Sequence, residues 1–120
     1  MSDEDTSLRA KIMSDPAGKT TMKYNYLGNS GVKVSEICMG TMTFGNAKNM
    51  DYNLPTISTE ESFALMDKFV EAGGNFFDTA NIYGKGESER VVGKWIKARN
   101  NRDQIVLATK GFFRMGGKGP

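Results

Sequence analysis

From Met22 onward, short apolar runs alternate with glycine-rich or polar stretches along the chain. Residues 1–21 lack that pattern. They are polar, with scattered charges, Pro16 and Gly18, and only Leu8, Ile12 and Met13 spaced as a weak helical turn. A flexible tail is expected over 1–21, and an ordered domain over 22–120. Met22 to Leu27 and Val32 to Val34 flank Gly28-Asn29-Ser30-Gly31, a stretch with the turn chemistry of a short hairpin. Ile37-Cys38-Met39 follows as a compact apolar run ending at Gly40. Its brevity predicts a strand buried on both faces, with Cys38 packed as an inert buried thiol.

A polar loop then runs from Thr41 to Ile57, with Gly45, three asparagines and Pro55. Ser58 and Glu61 have the spacing of a capping box and predict a helix start. Phe63, Met66, Phe69 and Val70 recur at three- and four-residue intervals, the buried stripe of that helix. Gly73-Gly74 supplies a left-handed stop. Phe76 to Asp78 reads as the next strand, and Tyr83 to Gly86 as a glycine-rich loop. A second helix is predicted to open at Ser88, to bury Val91, Val92, Trp95 and Ile96, and to close at Asn100-Asn101. Ile105 to Ala108 is the next strand, closing at Thr109-Lys110, and a glycine-rich stretch leads to Pro120.

After the hairpin the order is strand, helix, strand, helix, strand. Such alternation predicts a parallel α/β sheet with right-handed helical crossovers, in a doubly wound sheet or in part of a barrel. Composition narrows the function classes. Sixteen basic and fourteen acidic residues leave a net charge of +2, which gives no footprint for nucleic acid or an acidic membrane surface. No apolar run reaches the length of a membrane span, and the acidic start, Asp3 to Asp5, is unlike a secretory signal. A lone cysteine fits a reducing compartment, so a cytoplasmic protein is expected. The chain has no histidine, which excludes histidine-based metal sites and triads within it; no metal site is expected.

Three reactive residues stand at or just after strand ends: Asp78, Tyr83 and Lys110. In a parallel sheet those ends share one face, where α/β proteins place their sites. A lysine ammonium beside a tyrosine favours the phenolate and lowers a reference pKa of about 10. A carboxylate paired with the lysine holds it charged and oriented, and the tyrosine can then exchange a proton with a carbonyl oxygen. Each residue also has a plain structural reading. Asp78 suits a cap, Tyr83 a loop ring packed on its neighbours, and Lys110 a solvated charge.

Phe77-Asp78-Thr79-Ala80-Asn81-Ile82-Tyr83-Gly84 resembles the segment that supplies the aspartate and tyrosine of the aldo-keto reductase tetrad. Ala108-Thr109-Lys110 is similar to the strand end that supplies its lysine. Leu27 to Ser35 resembles the hairpin that plugs the bottom of that family's barrel. Gly40-Thr41-Met42-Thr43-Phe44-Gly45 resembles the loop after the first barrel strand, and Glu87 through Gly93 the start of the second barrel helix. The likeness runs from about Met22 to Lys110, in order.

The resemblance implies a (β/α)8 TIM barrel of which this chain holds the N-terminal part: the hairpin, three strands and two helices. It implies NADPH as hydride source and a small aldehyde or ketone as substrate. By the same resemblance Tyr83 donates the proton, Lys110 tunes it and Asp78 supports Lys110. Gly40, Thr41, Met42 and Asp78 border the nicotinamide and its ribose, and the loop from Asn46 to Ile57 helps wall the substrate pocket. A barrel of this kind takes roughly 250 residues. The tetrad histidine and most groups that grip the adenosine phosphate are expected beyond Pro120. A partial enzyme is therefore expected, with a catalytically inactive, protein-binding relative as the alternative. Outer strands left unpaired favour self-association through their edges.

Overall fold

A computed structural model of the chain describes residues 21–45 and 55–116. The expected tail, apart from Thr21, and most of the loop before Ile57 lie outside the described residues. Among the described residues, five strands and two α-helices follow in the expected order. β1 (Tyr24–Tyr26) and β2 (Lys33–Ser35) form the antiparallel hairpin, with Tyr24 opposite Ser35. β3 (Cys38–Gly40), β4 (Phe76–Asp78) and β5 (Val106–Ala108) form a separate parallel sheet in that spatial order. The helices α1 (Thr59–Glu71) and α2 (Glu87–Arg99) make the crossovers.

The start of α1 forms where the sequence puts it. Ser58 Oγ accepts the Glu61 amide at 3.1 Å, and Glu61 Oε2 accepts the Ser58 amide at 2.9 Å, so two helix-end donors are satisfied reciprocally. Its end is a glycine motif. Gly73 takes φ 100°, its amide reaches the Val70 carbonyl at 2.9 Å, and the Gly74 amide reaches the Phe69 carbonyl at 2.8 Å.

The helices bury their apolar stripes against one face of the sheet. Met66, Phe69, Val91, Val92 and Trp95 are buried with Phe77, and Met39 and Leu107 pack against them. The Phe77 ring lies 5.3 Å from Phe69 and 5.4 Å from Trp95, centroid to centroid. A polar bridge joins the two helices beside this cluster. Trp95 Nε1 donates to Asp67 Oδ1 at 2.7 Å, and Arg99 donates to both carboxylate oxygens at 2.8 Å.

Side chains alternate across a strand, so Cys38, Gly40, Phe76, Asp78, Val106 and Ala108 share the opposite face. No described helix covers it. This corrects the expectation for Cys38: the first strand is not buried on both faces, and its thiol is exposed. The hairpin sits at the amino ends of the parallel strands. Asn75, just before β4, accepts the Ser35 amide at 2.7 Å and donates to the Lys33 carbonyl at 3.1 Å. The carboxyl ends of β3, β4 and β5 are left for chemistry.

The start of α2 also departs from the expectation. Its N-cap is Gly86 at φ 99°, not Ser88, and no side chain caps it. The residues before it, Tyr83–Gly86, form a 3₁₀ turn in which Gly84 and Lys85 take φ 59° and 54°. Ser88 lies inside the helix, fully buried, with its hydroxyl spent elsewhere. Asn100 ends the helix in the left-handed conformation at φ 51°.

Candidate active site at the strand exits

The ladder between β4 and β5 continues past the strands themselves. The Thr79 amide donates to the Ala108 carbonyl at 2.8 Å, and the Asn81 amide to the Lys110 carbonyl at 3.0 Å. That register carries Lys110 alongside Asp78. Lys110 Nζ donates to both carboxylate oxygens of Asp78 at 2.8 Å and to the Thr79 carbonyl at 2.9 Å. An ammonium has three hydrogens, and these three oxygens account for them.

Tyr83 enters from the turn before α2, half-buried, with Lys110 Nζ 5.0 Å from its ring centroid. The three residues singled out in the sequence are thus brought together. The hydrogen bond that Lys110 donates to Asp78 holds the ammonium above the ordinary lysine range; partial desolvation opposes this, and Tyr83 adds a smaller push in the same direction as Asp78. The pair is open to solvent, with side chains 50% and 38% exposed. Cys38 lies on the same face. Partial burial and the Asp78 charge push its thiol up, and Lys110 pulls the other way.

The residues expected to border a cofactor divide into two groups. Gly40 ends β3 on the open face, where an added Cβ would meet nothing within 4 Å, and Met42 is 40% exposed. Thr41 is fully buried and turned toward α2. Its amide and hydroxyl donate to the Asp78 carbonyl at 3.1 and 3.0 Å, and its own carbonyl accepts from Phe44 N–H and Ser88 Oγ. Its polar groups are therefore engaged within the protein, and its side chain faces away from the open space above Gly40.

The sequence reading missed Ser88, whose hydroxyl lies within 2.6 Å of the Thr41 carbonyl, 2.9 Å of Thr41 Oγ1 and 3.2 Å of Thr79 Oγ1. It also missed the Thr79 carbonyl as a third partner of Lys110 and an aromatic pair just past it. Phe112 and Phe113 are 90% and 65% exposed, with their rings 5.3 Å apart. Among the described residues no cluster of three His, Cys, Asp or Glu could hold a metal ion, and no helix is long and apolar enough to cross a membrane.

Known proteins resemble this chain in sequence and in fold. Residues 36–120 match the Aldo/keto reductase family. Norsolorinic acid reductase B of Dothistroma septosporum is 50% identical over 107 residues, covering 87% of this chain and 27% of that protein. An aryl-alcohol dehydrogenase [NADP(+)] of Phanerodontia chrysosporium is 50% identical over 80 residues, covering 67% of this chain and 20% of that protein. The chain therefore spans about a quarter, or less, of these relatives. In structure, an aldo-keto reductase of Bacillus halodurans in its holo form superposes with a TM-score of 0.62 at 36% identity, over 82% of this chain and 29% of that one. The hairpin, parallel strands and crossover helices are those of an incomplete (β/α)8 barrel, as expected. The chain belongs to the aldo/keto reductase family.

Proposed function

We propose that this chain supplies part of the active site of an NADPH-dependent carbonyl reductase, which converts an aldehyde or ketone to an alcohol. The observation that carries the reading is the convergence of Tyr83, Lys110 and Asp78 at the strand exits, with the ammonium clamped on the carboxylate and 5.0 Å from the phenol ring. Two relatives named as reductase and NADP(+) dehydrogenase support the redox class, and the second supports an aryl substrate.

The residues fit the nicotinamide end of such a cofactor. Gly40 leaves the space above the sheet open, Met42 offers an exposed apolar edge, and Asp78 keeps lone pairs beyond those used by Lys110 for ribose hydroxyls. When bound, the dihydronicotinamide supplies a hydride to the carbonyl carbon. Tyr83 gives its phenolic proton to the carbonyl oxygen, so that C=O becomes CH–OH, and water restores the phenol. The fixed Lys110 charge stabilises the negative charge that develops on the phenol oxygen as the proton leaves. Lys110 is clamped on Asp78 and Thr79 with its ammonium 5.0 Å from the Tyr83 ring centroid, close enough to act on the phenol through its field. Asp78 holds that charge in place.

Tyr83→Phe tests the reading in the reductase that contains this chain, with a simple aromatic aldehyde as substrate. The ring and its packing stay while the proton donor goes, so turnover should fall about 10²–10⁴-fold with cofactor affinity little changed. Near-normal turnover in a folded variant would sink the assignment and leave Tyr83 as a packed loop ring.

A further inference from the structure

The three oxygens that hold Lys110 Nζ all come from two consecutive residues, Asp78 and Thr79. Those two residues are themselves held from the far side of the sheet. Thr41 grips the Asp78 carbonyl twice, through its amide at 3.1 Å and its hydroxyl at 3.0 Å. Ser88 grips Thr41 and Thr79 together. Its Oγ lies 2.6 Å from the Thr41 carbonyl, 2.9 Å from Thr41 Oγ1 and 3.2 Å from Thr79 Oγ1.

The hydrogens of this cluster can all be placed. Thr41 gives its hydroxyl hydrogen to the Asp78 carbonyl, Thr79 gives its own to Ser88, and Ser88 shares its own between the two oxygens of Thr41. Thr41, Thr79 and Ser88 are each at most 1% exposed. In such surroundings a satisfied network is rigid, and an unmade bond is costly. A plain helix-forming role does not require a hydroxyl at Ser88. The N-cap is Gly86, and a serine inside a helix is a mediocre former.

We infer that Ser88 is a positioning residue: through Thr41 and Thr79 it fixes the Asp78-Thr79 backbone, and so sets where the Lys110 ammonium stands relative to Tyr83. The inference rests on the reductase reading for its catalytic consequence, and on the hydrogen-bond geometry alone for the placement of Lys110. Ser88 touches neither Lys110 nor the open face. Its effect passes from the start of α2 to the Asp78-Thr79 backbone, and from there to the ammonium.

The test separates placement from folding. Lysine labelled with ¹³C and ¹⁵N is introduced into the full chain, Lys110 is assigned with Lys110→Arg, and its Nζ titration is followed by NMR. Ser88→Ala should shift the Lys110 titration downward, as the clamp on the ammonium loosens. Thr41→Val, which keeps the side-chain shape but drops the hydroxyl, should shift it the same way; Thr41→Ser, which keeps the hydroxyl, should not. Val91→Ala, in the buried face of the same helix, controls for lost stability and should leave the titration alone. In the reductase that contains this chain, Ser88→Ala should lower kcat by about tenfold or more, with a smaller change in KM, as expected for a displaced reacting group. An unmoved Lys110 titration in folded Ser88→Ala, or an equal shift in Val91→Ala, overturns the inference. If Ser88→Ala does not fold, the Thr41→Val and Thr41→Ser pair decides, and equal titrations in those two overturn it. A shifted titration with unchanged turnover keeps the positioning role and refutes the catalytic use of Lys110 instead.

Discussion

Asp67 on α1 carries two loads that different substitutions can separate. Its Oδ1 accepts the indole N–H of Trp95, a residue only 1% exposed, and its two oxygens receive the Arg99 guanidinium. The Arg99 hydrogen bond, then that of Trp95, pulls its carboxyl from 3.8 down to about 2. Taken at face value a shift of that size is worth about 2.5 kcal/mol. Both side chains of the pair are 42% exposed, so solvent screening reduces the charge contribution to about 1 kcal/mol. Asp67→Asn keeps an acceptor for the indole and loses only the charge, so it should destabilise by about 1 kcal/mol at neutral pH. Asp67→Ala also strands a buried N–H donor, which raises the loss to about 2–4 kcal/mol. The folded carboxyl is more acidic than the unfolded one, so its stabilisation is complete above about pH 4 and gone below about pH 2. Urea unfolding followed by the fluorescence of Trp95, the sole tryptophan, measures all three proteins at pH 7 and pH 3. The wild type should lose part of its advantage over Asp67→Asn at the lower pH. Equal losses for Ala and Asn, or an advantage that does not change with pH, would refute this division of roles.

Two further substitutions probe the ends of α1. A Cβ at Gly74 would fall 2.3–2.4 Å from ring atoms of the buried Phe69, so Gly74→Ala should destabilise by about 3 kcal/mol, visible as a lower urea midpoint with an unchanged slope. Ser58→Ala removes the side-chain half of the capping box and should cost about 1 kcal/mol, whereas Ser58→Asp should restore most of it; equal stability of all three proteins by thermal unfolding would exclude the cap as a contributor.

What could be read beforehand was whatever local chemistry decides. The stripe of Met66 and Phe69, the Ser58–Glu61 spacing and the Gly73 stop are properties of a few neighbouring residues, and the helix follows from them. The parallel direction of the strands followed from their alternation with helices. Cys38 was misread because an apolar run shows that a strand is apolar, not that both faces are covered; the described helices pack against Met39 and Phe77 and not against the other side. Ser88 was misread for the opposite reason. A serine just before an apolar stripe has the look of a cap, but Gly84, Lys85 and Gly86 turn left-handed and put the cap two residues earlier, at Gly86. That turn aims the hydroxyl at Thr41, 47 residues away, a contact no local pattern encodes.

The candidate site itself needed less of the fold than its strand-exit location suggests. Asp78 and Lys110 meet because β4 and β5 are neighbours in parallel register, with Asp78 opposite Ala108 and the ladder running on to Lys110. Tyr83 is delivered by the turn that opens the helix between those same two strands. All three thus belong to one strand–helix–strand unit, residues 76–110, and their distances are fixed by its backbone bonds. Barrel closure is not required to bring them together. β3 contributes through Thr41, which ties the Asp78 carbonyl to the first strand, and through the open space above Gly40. A substitution that moves the backbone at Asp78–Thr79 or at Thr109–Lys110 should therefore disturb the Asp78–Lys110 distance directly. One in β3 should reach it only through Thr41, which is why Thr41→Val is the more discriminating probe of the pair.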